Sequence, residues 1–117
     1  MLQVRDLVMR LRSGGRAVTI LDGVSFDVDA REMVAVTGPS GSGKSTLLGL
    51  IAGLDRPTAG SIVLDGVDIT RLDEDALARL RRDRIGFVFQ SYHLIPTLTA
   101  LENVAMPLEL AGRLRPL

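Results

Sequence analysis

The sequence predicts an α/β fold, and two observations carry that prediction. Apolar and polar positions alternate over residues 1–32, a pattern typical of antiparallel strands with one solvated face. Residues 33–37 then form a nearly continuous apolar run, as expected of a buried central strand, and a Gly-rich loop and an apolar pattern of helical spacing follow directly. Strand, loop and helix in this order predict an α/β core that follows an antiparallel β subdomain.

The composition fits a globular protein and excludes several other classes. Hydrophobic residues make up 46% of the 117 residues and charged residues 24%, which suits one small domain or a piece of a larger one. The 14 cationic residues balance the 14 acidic ones, so no basic excess indicates a nucleic-acid partner. The absence of cysteine excludes disulfides and thiolate metal sites. The densest apolar stretch, 47–54, is far short of the roughly 20 residues of a membrane span, so we expect any membrane association to go through a partner.

Turn signals divide the antiparallel part of the chain. Residues 13–16 and 22–23 are rich in glycine and polar side chains, which predicts a turn at each and a meander of short strands. Further along, Asp65-Gly66 separates the apolar run 62–64 from the return segment 67–69. That arrangement predicts a hairpin.

Two helices are predicted between these strands and residue 85. Apolar residues at helical spacing over 47–54 predict the first, with Gly53 near its end. Residues 73–84 carry their acids in the first turn and their arginines in the last, which matches the helix dipole and predicts the second.

A last helix is expected to open at a capping box. Thr99 and Glu102 have the spacing at which a hydroxyl and a carboxylate each accept from the other's backbone N–H. We expect Pro107 to kink or split this helix and Gly112 to end it.

The residues Gly38-Pro39-Ser40-Gly41-Ser42-Gly43-Lys44-Ser45 fit the phosphate-loop pattern G-x-x-x-x-G-K-[S/T], between a predicted strand and a predicted helix. Its glycines let successive backbone N–H groups point at phosphate oxygens, and the helix N-terminus adds its positive dipole end. Lys44, the only lysine, is placed to reach the β- and γ-phosphates of a nucleoside triphosphate. Ser45 supplies a hydroxyl to Mg²⁺, and Thr46 can contact the α-phosphate. The alternative is a Gly/Ser-rich loop with a stray lysine, which the strand–loop–helix context disfavours.

Gln90 is a second candidate functional residue. It stands at the C-terminal end of the predicted strand 85–89, where open α/β sheets place ligand-binding groups. A glutamine there can orient water or Mg²⁺. By itself, however, a polar residue at a strand end is more often structural.

Three other features favour structural interpretations. Asp65 follows an apolar strand, as a Mg²⁺-binding aspartate does in phosphate-loop enzymes, but Asp65-Gly66 is foremost a turn signal. His93 is the only histidine and has no partner residues that would form a triad or a metal set. The arginines within residues 79–84 are most simply a solvated helix face.

Over essentially its whole length the sequence resembles the ATP-binding subunit of ABC transporters. The phosphate loop through Thr46 is similar to that family's Walker A motif, and Phe87-Val88-Phe89-Gln90 is similar to its Q-loop. The run Leu64-Asp65-Gly66-Val67-Asp68-Ile69 resembles its antiparallel subdomain. Residues 86–99 and Glu102-Asn103-Val104 resemble the lipoprotein-release and macrolide-export branch.

The resemblance implies a phosphate-loop NTPase core of the ABC ATPase type, with an antiparallel β subdomain. Residues 1–32 would be the β meander, 33–90 the core as far as the Q-loop, and 91–117 the Q-loop region and the start of a helical subdomain, where the chain would be truncated. It also implies ATP and Mg²⁺ as cofactors. The catalytic residues would be Lys44 and Gln90, the Mg²⁺ ligands Ser45 and Gln90, and the nucleotide contacts Gly38, Pro39, Ser40, Gly41, Ser42, Gly43, Lys44, Ser45 and Thr46.

The partners implied by the resemblance are an integral membrane permease and, in the full-length form, a second ATP-binding subunit in a homodimer. No nucleic acid is implied, and the location would be cytoplasmic, peripheral on the inner face of the cell membrane. ATP binding and hydrolysis would drive export or lipid or lipoprotein transport. Apolar residues crowd within 92–101, which favours a docking surface for the permease, although packing under the helical subdomain is the alternative.

Several family features are missing from the sequence. It has no L-S-G-G-Q signature, no second apolar strand ending in Asp-Glu and no switch histidine, so we expect the chain alone to be inactive in ATP turnover. Leu11 stands at about the position where the family stacks adenine on an aromatic residue, and Arg12 is the alternative stacking group. Two other functions stay open: a truncated, catalytically incompetent nucleotide-binding fragment, and another phosphate-loop NTPase such as a small kinase or a GTPase. The preceding meander and the absence of Asn-Lys-x-Asp disfavour the latter.

Overall fold

The computed structural model of the 117-residue chain describes residues 1–90, 94–110 and 112. It forms two compact units, residues 1–86 and residues 87–117. The elements in chain order are β1 (Leu2–Ser13), β2 (Arg16–Val28), α1 (Lys44–Ile51), β3 (Ala59–Leu64), β4 (Val67–Asp68), a 3-10 turn (Ile69–Arg71), α2 (Glu74–Arg84) and α3 (Ala100–Leu110).

The first two strands form one long hairpin. Gly14 and Gly15 make its turn with φ of 59° and 79°, values that glycine adopts without a steric cost. The second predicted turn, at Asp22-Gly23, is wrong, because both residues lie inside β2. The register passes from Leu7 opposite Val24 to Val8 opposite Asp22, so Gly23, at φ 71°, is an extra residue in a β-bulge. A glycine that signals a turn in the sequence here bends a strand instead, and the predicted meander is a hairpin.

The four strands form an antiparallel sheet in the order β2-β1-β3-β4. The predicted hairpin around Asp65-Gly66 is confirmed, since Leu64 pairs with Val67 across that turn. Asp65 and Gly66 both have positive φ, 47° and 81°, as a two-residue turn of this hand requires.

The core lies between one face of this sheet and the two helices α1 and α2. Val4, Leu7 and Ile62 come from the sheet, and Leu50 and Leu77 come from the helices; all five are 0–2% exposed. Full burial of each such side chain contributes about 1.5–3 kcal/mol relative to exposure. The sheet face and the helices therefore stabilise one another, and α1, which opens at the phosphate loop, is part of that core.

All three predicted helices are present. Asp73 caps α2 by accepting the N–H of Ala76 at 2.8 Å, and Gly53, at φ 75°, follows the end of α1. Helix α3 continues through Pro107, so the prediction that this proline splits it is wrong. A proline removes only one backbone donor from the ladder, and the exposed position 107 leaves its ring in solvent. Gly112, at φ 72°, donates to the Glu109 carbonyl at 2.9 Å, as expected at a helix end.

The predicted strands 33–37 and 85–89 are not strands in the structure. Neither has a ladder partner among the described residues, and a strand exists only through hydrogen bonds to a neighbour. Met33 is 97% exposed and Val88 is 83% exposed. Both segments thus have the apolar pattern of a buried strand, but Met33 and Val88 are exposed and not packed against neighbouring elements as the side chains of such a strand must be.

Replacing Gly60 by alanine tests the tightest packing in the sheet. A Cβ there would lie 2.4 Å from the Asp6 carbonyl oxygen, and Gly60 also has φ 92°. We expect Gly60→Ala to lower the free energy of unfolding by about 2–4 kcal/mol, from overpacking added to backbone strain.

Gly15→Ala is the matched control for backbone strain. Gly15 has φ 79° with nothing within 4 Å of an added Cβ, so it carries the strain without the overlap. We expect it to cost only about 1 kcal/mol. Urea unfolding of both variants measures the difference, and equal losses would contradict the packing argument.

Candidate functional site

The predicted phosphate loop curls as its glycines permit. Gly41 and Gly43 have φ of 82° and 95°, in the left-handed region that glycine favours. The N–H of Ser42 donates to the Pro39 carbonyl at 3.2 Å and closes a turn at the start of the loop. The loop therefore reverses direction within a few residues before α1 begins at Lys44.

The end of the loop packs directly on β2. A Cβ at Gly43 would lie 3.0 Å from Cγ2 of Ile20, 3.2 Å from the Ile20 carbonyl oxygen and 3.2 Å from Cδ2 of Leu21. Those distances leave no comfortable room for a side chain. Gly43 is thus required by both its backbone conformation and its neighbours, and this contact fixes where α1 begins relative to the sheet.

The first turn of α1 has the backbone N–H groups that bind anions, but no side chain of its own that satisfies them. The N–H of Leu47 makes the first helical bond, to the Gly43 carbonyl at 2.9 Å, so the N–H groups before it have no helical acceptor. Gly43 offers no capping side chain, and the first turn contains no acidic residue. The positive end of the helix dipole is therefore available to a phosphate.

Lys44 adds a full charge at the same place. It is partly buried, and its ammonium donates to the Gly38 carbonyl, which joins the two ends of the loop. The ammonium thus lies beside the backbone of Gly38, the first residue of the loop. A compact ammonium beside free N–H groups suits the oxygens of a polyphosphate.

The residues around α1 fit Mg²⁺ as a partner of bound phosphates. Ser45 is exposed in the first turn and offers a hydroxyl oxygen, while Thr46 is half-buried behind it. Within the described ranges no group of three or more His, Cys, Asp or Glu side chains can hold a metal ion. Mg²⁺ usually takes one or two protein oxygens together with phosphates and water, so this sparse donor set suits a metal that arrives with a nucleotide.

An apolar pair on the β1–β2 hairpin lies beside the loop. Leu11 and Val18 are directly opposite each other, and each is 45% exposed. The register passes from Leu21 to Thr19 with Ile20 as the extra residue of a bulge, so the alternation of side chains is followed along β1, which has no extra residue there. Leu11 is two residues from Met9, the partner of Leu21, and shares its face. Since Leu21 touches the Gly43 position, Leu11 and its partner Val18 lie on the hairpin face that packs on the phosphate loop.

Gln90 lies in the second compact unit, which is described by itself. It is exposed and follows the segment 85–89, in which the rings of Phe87 and Phe89 are tilted by 45° at a centroid distance of 4.6 Å. The structure therefore does not test the predicted action of Gln90 beside Lys44, which stays a prediction. Residues Tyr92 and His93, singled out from the sequence, lie outside the described residues.

The features interpreted as structural have structural contacts. The Asp65 carboxylate binds the N-terminal ammonium of Met1 at 2.7 Å and approaches Arg84 at 4.0 Å. The hydrogen bond from that ammonium lowers the pKa of Asp65.

Arg81 was predicted to lie on a solvated helix face, but its half-buried guanidinium donates to the Gly53 carbonyl and ties α2 to the end of α1. Only the fold brings these two residues together, since they are 28 positions apart.

The capping box of α3 is confirmed. The Thr99 N–H donates to Glu102 at 2.9 Å, and the Glu102 N–H donates to the Thr99 hydroxyl at 3.2 Å. Hydrogen bonds to the Glu102 carboxylate, first from the Thr99 backbone N–H and then from the Thr99 side chain, lower the pKa of Glu102. From the sequence, the next residue, Asn103, had no assigned role beyond the resemblance of Glu102-Asn103-Val104 to the family, yet its side-chain amide bonds to several backbone groups of the preceding loop.

Two groups of apolar side chains are exposed in this second unit. Leu94 and Ile95 lie in the loop before α3 and are 65% and 43% exposed. Leu101, Val104 and Leu108 lie three and four positions apart on one side of α3, which we call the α3 stripe. The prediction that residues 92–101 form an apolar docking surface stays a prediction; among the described residues Leu94, Ile95 and Leu101 are exposed and Leu98 is partly buried.

Phosphate loop, helix N-terminus and lysine together are the features of a phosphate-loop fold, and the comparisons specify which kind. A family model described as ABC transporter matches residues 21–115. An uncharacterised ABC transporter ATP-binding protein of Mycobacterium tuberculosis is 52% identical over 111 residues, covering 95% of this chain and 34% of that protein. A macrolide export ATP-binding/permease protein of Burkholderia pseudomallei is 48% identical over 112 residues, covering 96% and 17%.

The chain belongs to the ABC transporter family, as a part of its ATP-binding cassette. A solved dimeric ATP-binding cassette in a post-hydrolysis state with ADP and Pi matches it with a TM-score of 0.89 at 42% identity, over 100% of this chain and 50% of that one. The predicted fold class, a phosphate-loop ABC ATPase core with an antiparallel β subdomain, is confirmed. The chain therefore spans about half the length of that cassette. Within the described residues, no helix is long and apolar enough to span a bilayer.

Acid is expected to weaken the start of α3. Because the folded pKa of Glu102 is lowered, its carboxylate stabilises the fold above the unfolded pKa of about 4.3, and that stabilisation is lost as the pH falls through the lowered value. A carbon-13 NMR titration should give a lower pKa for Glu102 in the folded chain than in 8 M urea. Thr99→Ala removes one of the two donors, so it should raise the folded pKa; equal values in all three samples would contradict the cap.

Proposed function

We propose that the chain is the Mg-ATP-binding part of an ABC transporter subunit, which couples ATP binding and hydrolysis to export or to lipid or lipoprotein transport by a membrane permease. The observation that carries the proposal is the geometry of the loop. Gly43, pressed onto β2, fixes where α1 starts, and Lys44 in its first turn bonds back across the loop to Gly38. Membership of the ABC family supports a nucleoside triphosphate as the ligand of this loop.

Each residue of the loop has a task in this proposal. The N–H groups at the start of α1 bind phosphate oxygens, and Lys44 leaves the Gly38 carbonyl to neutralise the β- and γ-phosphates. The hydroxyl of Ser45 binds Mg²⁺, and Thr46 hydrogen-bonds the α-phosphate. Mg²⁺ withdraws charge from the β- and γ-oxygens when it is bound. Exchanging the Gly38 carbonyl for a phosphate costs Lys44 little, since the carbonyl oxygen is neutral whereas the phosphate oxygens are negatively charged.

Gln90 is proposed to sense the same Mg²⁺ and to transmit its presence to the permease. The Burkholderia relative is named an ATP-binding/permease protein, which supports a permease partner for this chain. The solved cassette is dimeric, which supports a second ATP-binding subunit. A cytoplasmic position against the inner face of the membrane follows from such a partner. Hydrolysis in the assembly then requires residues that the 117-residue sequence does not contain, so we expect the chain alone not to turn over ATP.

The apolar loop and the α3 stripe are proposed as the surface that meets the permease. Leu94 is 65% exposed, and Leu101 and Val104 are 66% and 72% exposed. Exposed apolar groups in this number raise the free energy of the unbound protein and mark interaction sites. A cytoplasmic segment of a membrane protein with an apolar face is the occupant that this surface fits.

A second candidate function is nucleotide binding without turnover. Leu11 and Val18 can offer the base of a nucleotide only aliphatic contacts, and such contacts distinguish one base from another only weakly. This candidate predicts binding of ATP and of tripolyphosphate with similar affinity, whereas a selective ATPase subunit would favour ATP.

Lys44→Ala is expected to weaken Mg-ATP binding by about 10- to 100-fold. It removes the one full positive charge at the loop, and a hydrogen bond to a charged group contributes about 1.5–3 kcal/mol. Titration of a fluorescent ATP analogue with Mg²⁺ against both forms measures the loss.

Lys44→Arg is the matched control for charge. It keeps the cation but not the compact ammonium, so we expect an intermediate affinity. Circular dichroism confirms that each variant is folded. Unchanged affinity in the folded alanine variant would refute the assignment of the site.

Leu11→Tyr is expected to raise ATP affinity by about tenfold. An aromatic ring would stack on the base from the hairpin face that adjoins the loop, and such stacking contributes about 1–3 kcal/mol. Affinity for tripolyphosphate should not change, because it has no base.

Leu54→Tyr is the control for an added aromatic ring, since Leu54 is also 45% exposed but lies beyond the far end of α1. If this variant gains ATP affinity to the same extent, or if Leu11→Tyr strengthens tripolyphosphate binding equally, then Leu11 is not at the base.

A further inference from the structure

The side chain of Asn103 holds the loop that precedes α3. Its Oδ1 accepts the N–H of Ile95 at 2.8 Å. Its Nδ2 donates to the carbonyls of Thr99 at 2.9 Å, Ile95 at 3.2 Å and Leu98 at 3.3 Å. One side-chain amide near the start of α3 thus bonds to the backbone of three residues of the preceding loop, the farthest of them eight positions away in sequence.

Both the oxygen and the nitrogen of the Asn103 side-chain amide are engaged in hydrogen bonds. An asparagine amide has two N–H donors, so three acceptors share them, with the Thr99 carbonyl nearest. Both backbone groups of Ile95 bind Asn103, and the Leu98 N–H returns to the Ile95 carbonyl at 3.1 Å. These bonds fix residues 95–99 as a compact turn on the start of α3, in addition to the capping box.

This turn determines what the loop presents to solvent. Leu94 and Ile95 are 65% and 43% exposed, although a loop free to rearrange would gain by covering them. Binding both backbone groups of Ile95 opposes that rearrangement. The loop therefore carries its apolar side chains outward in a preformed shape, which lowers the entropic cost of binding a partner.

We propose that Asn103 is a positioning residue for coupling: it holds residues 94–99 in the shape that presents Leu94 and Ile95 to the permease. This inference rests on the proposed function, because the occupant of the surface is the cytoplasmic segment of the permease. Asn103 touches neither nucleotide nor permease in this arrangement. Its loss leaves the phosphate loop intact and removes the fixed geometry of the docking loop.

The first test measures the loop in the 117-residue chain itself. Hydrogen exchange of the Ile95 amide, followed by NMR, should become at least about tenfold faster in Asn103→Ala. Asn103→Asp keeps an acceptor for this N–H and loses the donors, so it should retain most of the protection. Val104→Ala, one position along the helix, is the control and should change nothing at Ile95. Equal exchange of Ile95 in the wild-type chain and in Asn103→Ala overturns the proposal.

The second test measures coupling. The 112 matched residues of the Burkholderia relative are replaced by those of this chain, and ATP hydrolysis and macrolide export are measured on the same preparations. We expect Asn103→Ala to keep kcat and KM for ATP within about twofold and to lose at least about tenfold in export. Asn103→Asp should also lose export, since it lacks the donors that bind the carbonyls.

Two comparison variants separate this inference from the proposed function. Lys44→Ala should abolish hydrolysis, and Leu94→Asp should abolish export; if both keep their activities, the proposed function fails. If they behave as expected while Asn103→Ala exports normally, only the role of Asn103 fails. A loss of export in Asn103→Ala matched by an equal loss of hydrolysis shows a merely structural role and overturns the proposal.

Discussion

The contact of Gly43 with β2 is the constraint on which the rest of the site depends. Any side chain at this position would meet Ile20 and Leu21 at about the closest distance that packing allows. The contact fixes the first turn of α1 against a sheet whose own core residues, Val4 and Ile62, are fully buried. Since a packed core deforms little, the N–H groups at the start of α1 and Lys44 are held in fixed positions, as the proposed binding of a polyphosphate requires. The affinity of the loop for the proposed polyphosphate ligand would therefore depend on the β1–β2 hairpin that packs against Gly43.

In the proposed function, the first compact unit binds the nucleotide and the second transmits its presence to the permease. The first, residues 1–86, contains the sheet, α1, α2 and the whole phosphate loop. The second contains Gln90, the loop held by Asn103 and the α3 stripe. Chemistry with phosphate requires a rigid frame, whereas contact with a moving permease requires an exposed apolar surface of defined shape. A short local network at the start of α3 provides that shape without a large core.

The two apolar segments that are not strands show what a sequence pattern leaves open. Residues 33–37 and 85–89 have the composition of buried strands, and the chain covers half of the solved cassette that it matches. Periodicity reports which side chains should be buried, but a strand also needs a neighbour to pair with. Asp22-Gly23 gives the same lesson on a smaller scale, since the dipeptide fits a turn and a bulge equally well, and only the pairing of β1 with β2 selects the bulge.

The sequence by itself determined the phosphate loop, the three helices, the capping box of α3, the hairpin at Asp65-Gly66 and the family. Each of these depends on residues close together in the chain, where local geometry dictates the residue type. Only the tertiary structure decided which glycine is pressed onto β2, that Arg81 reaches Gly53, and that Leu11 and Val18 share the face beside the loop. It also revealed Asn103, whose bonds depend on how the loop folds back on the helix. Such contacts join residues that the chain separates, and no local pattern records them.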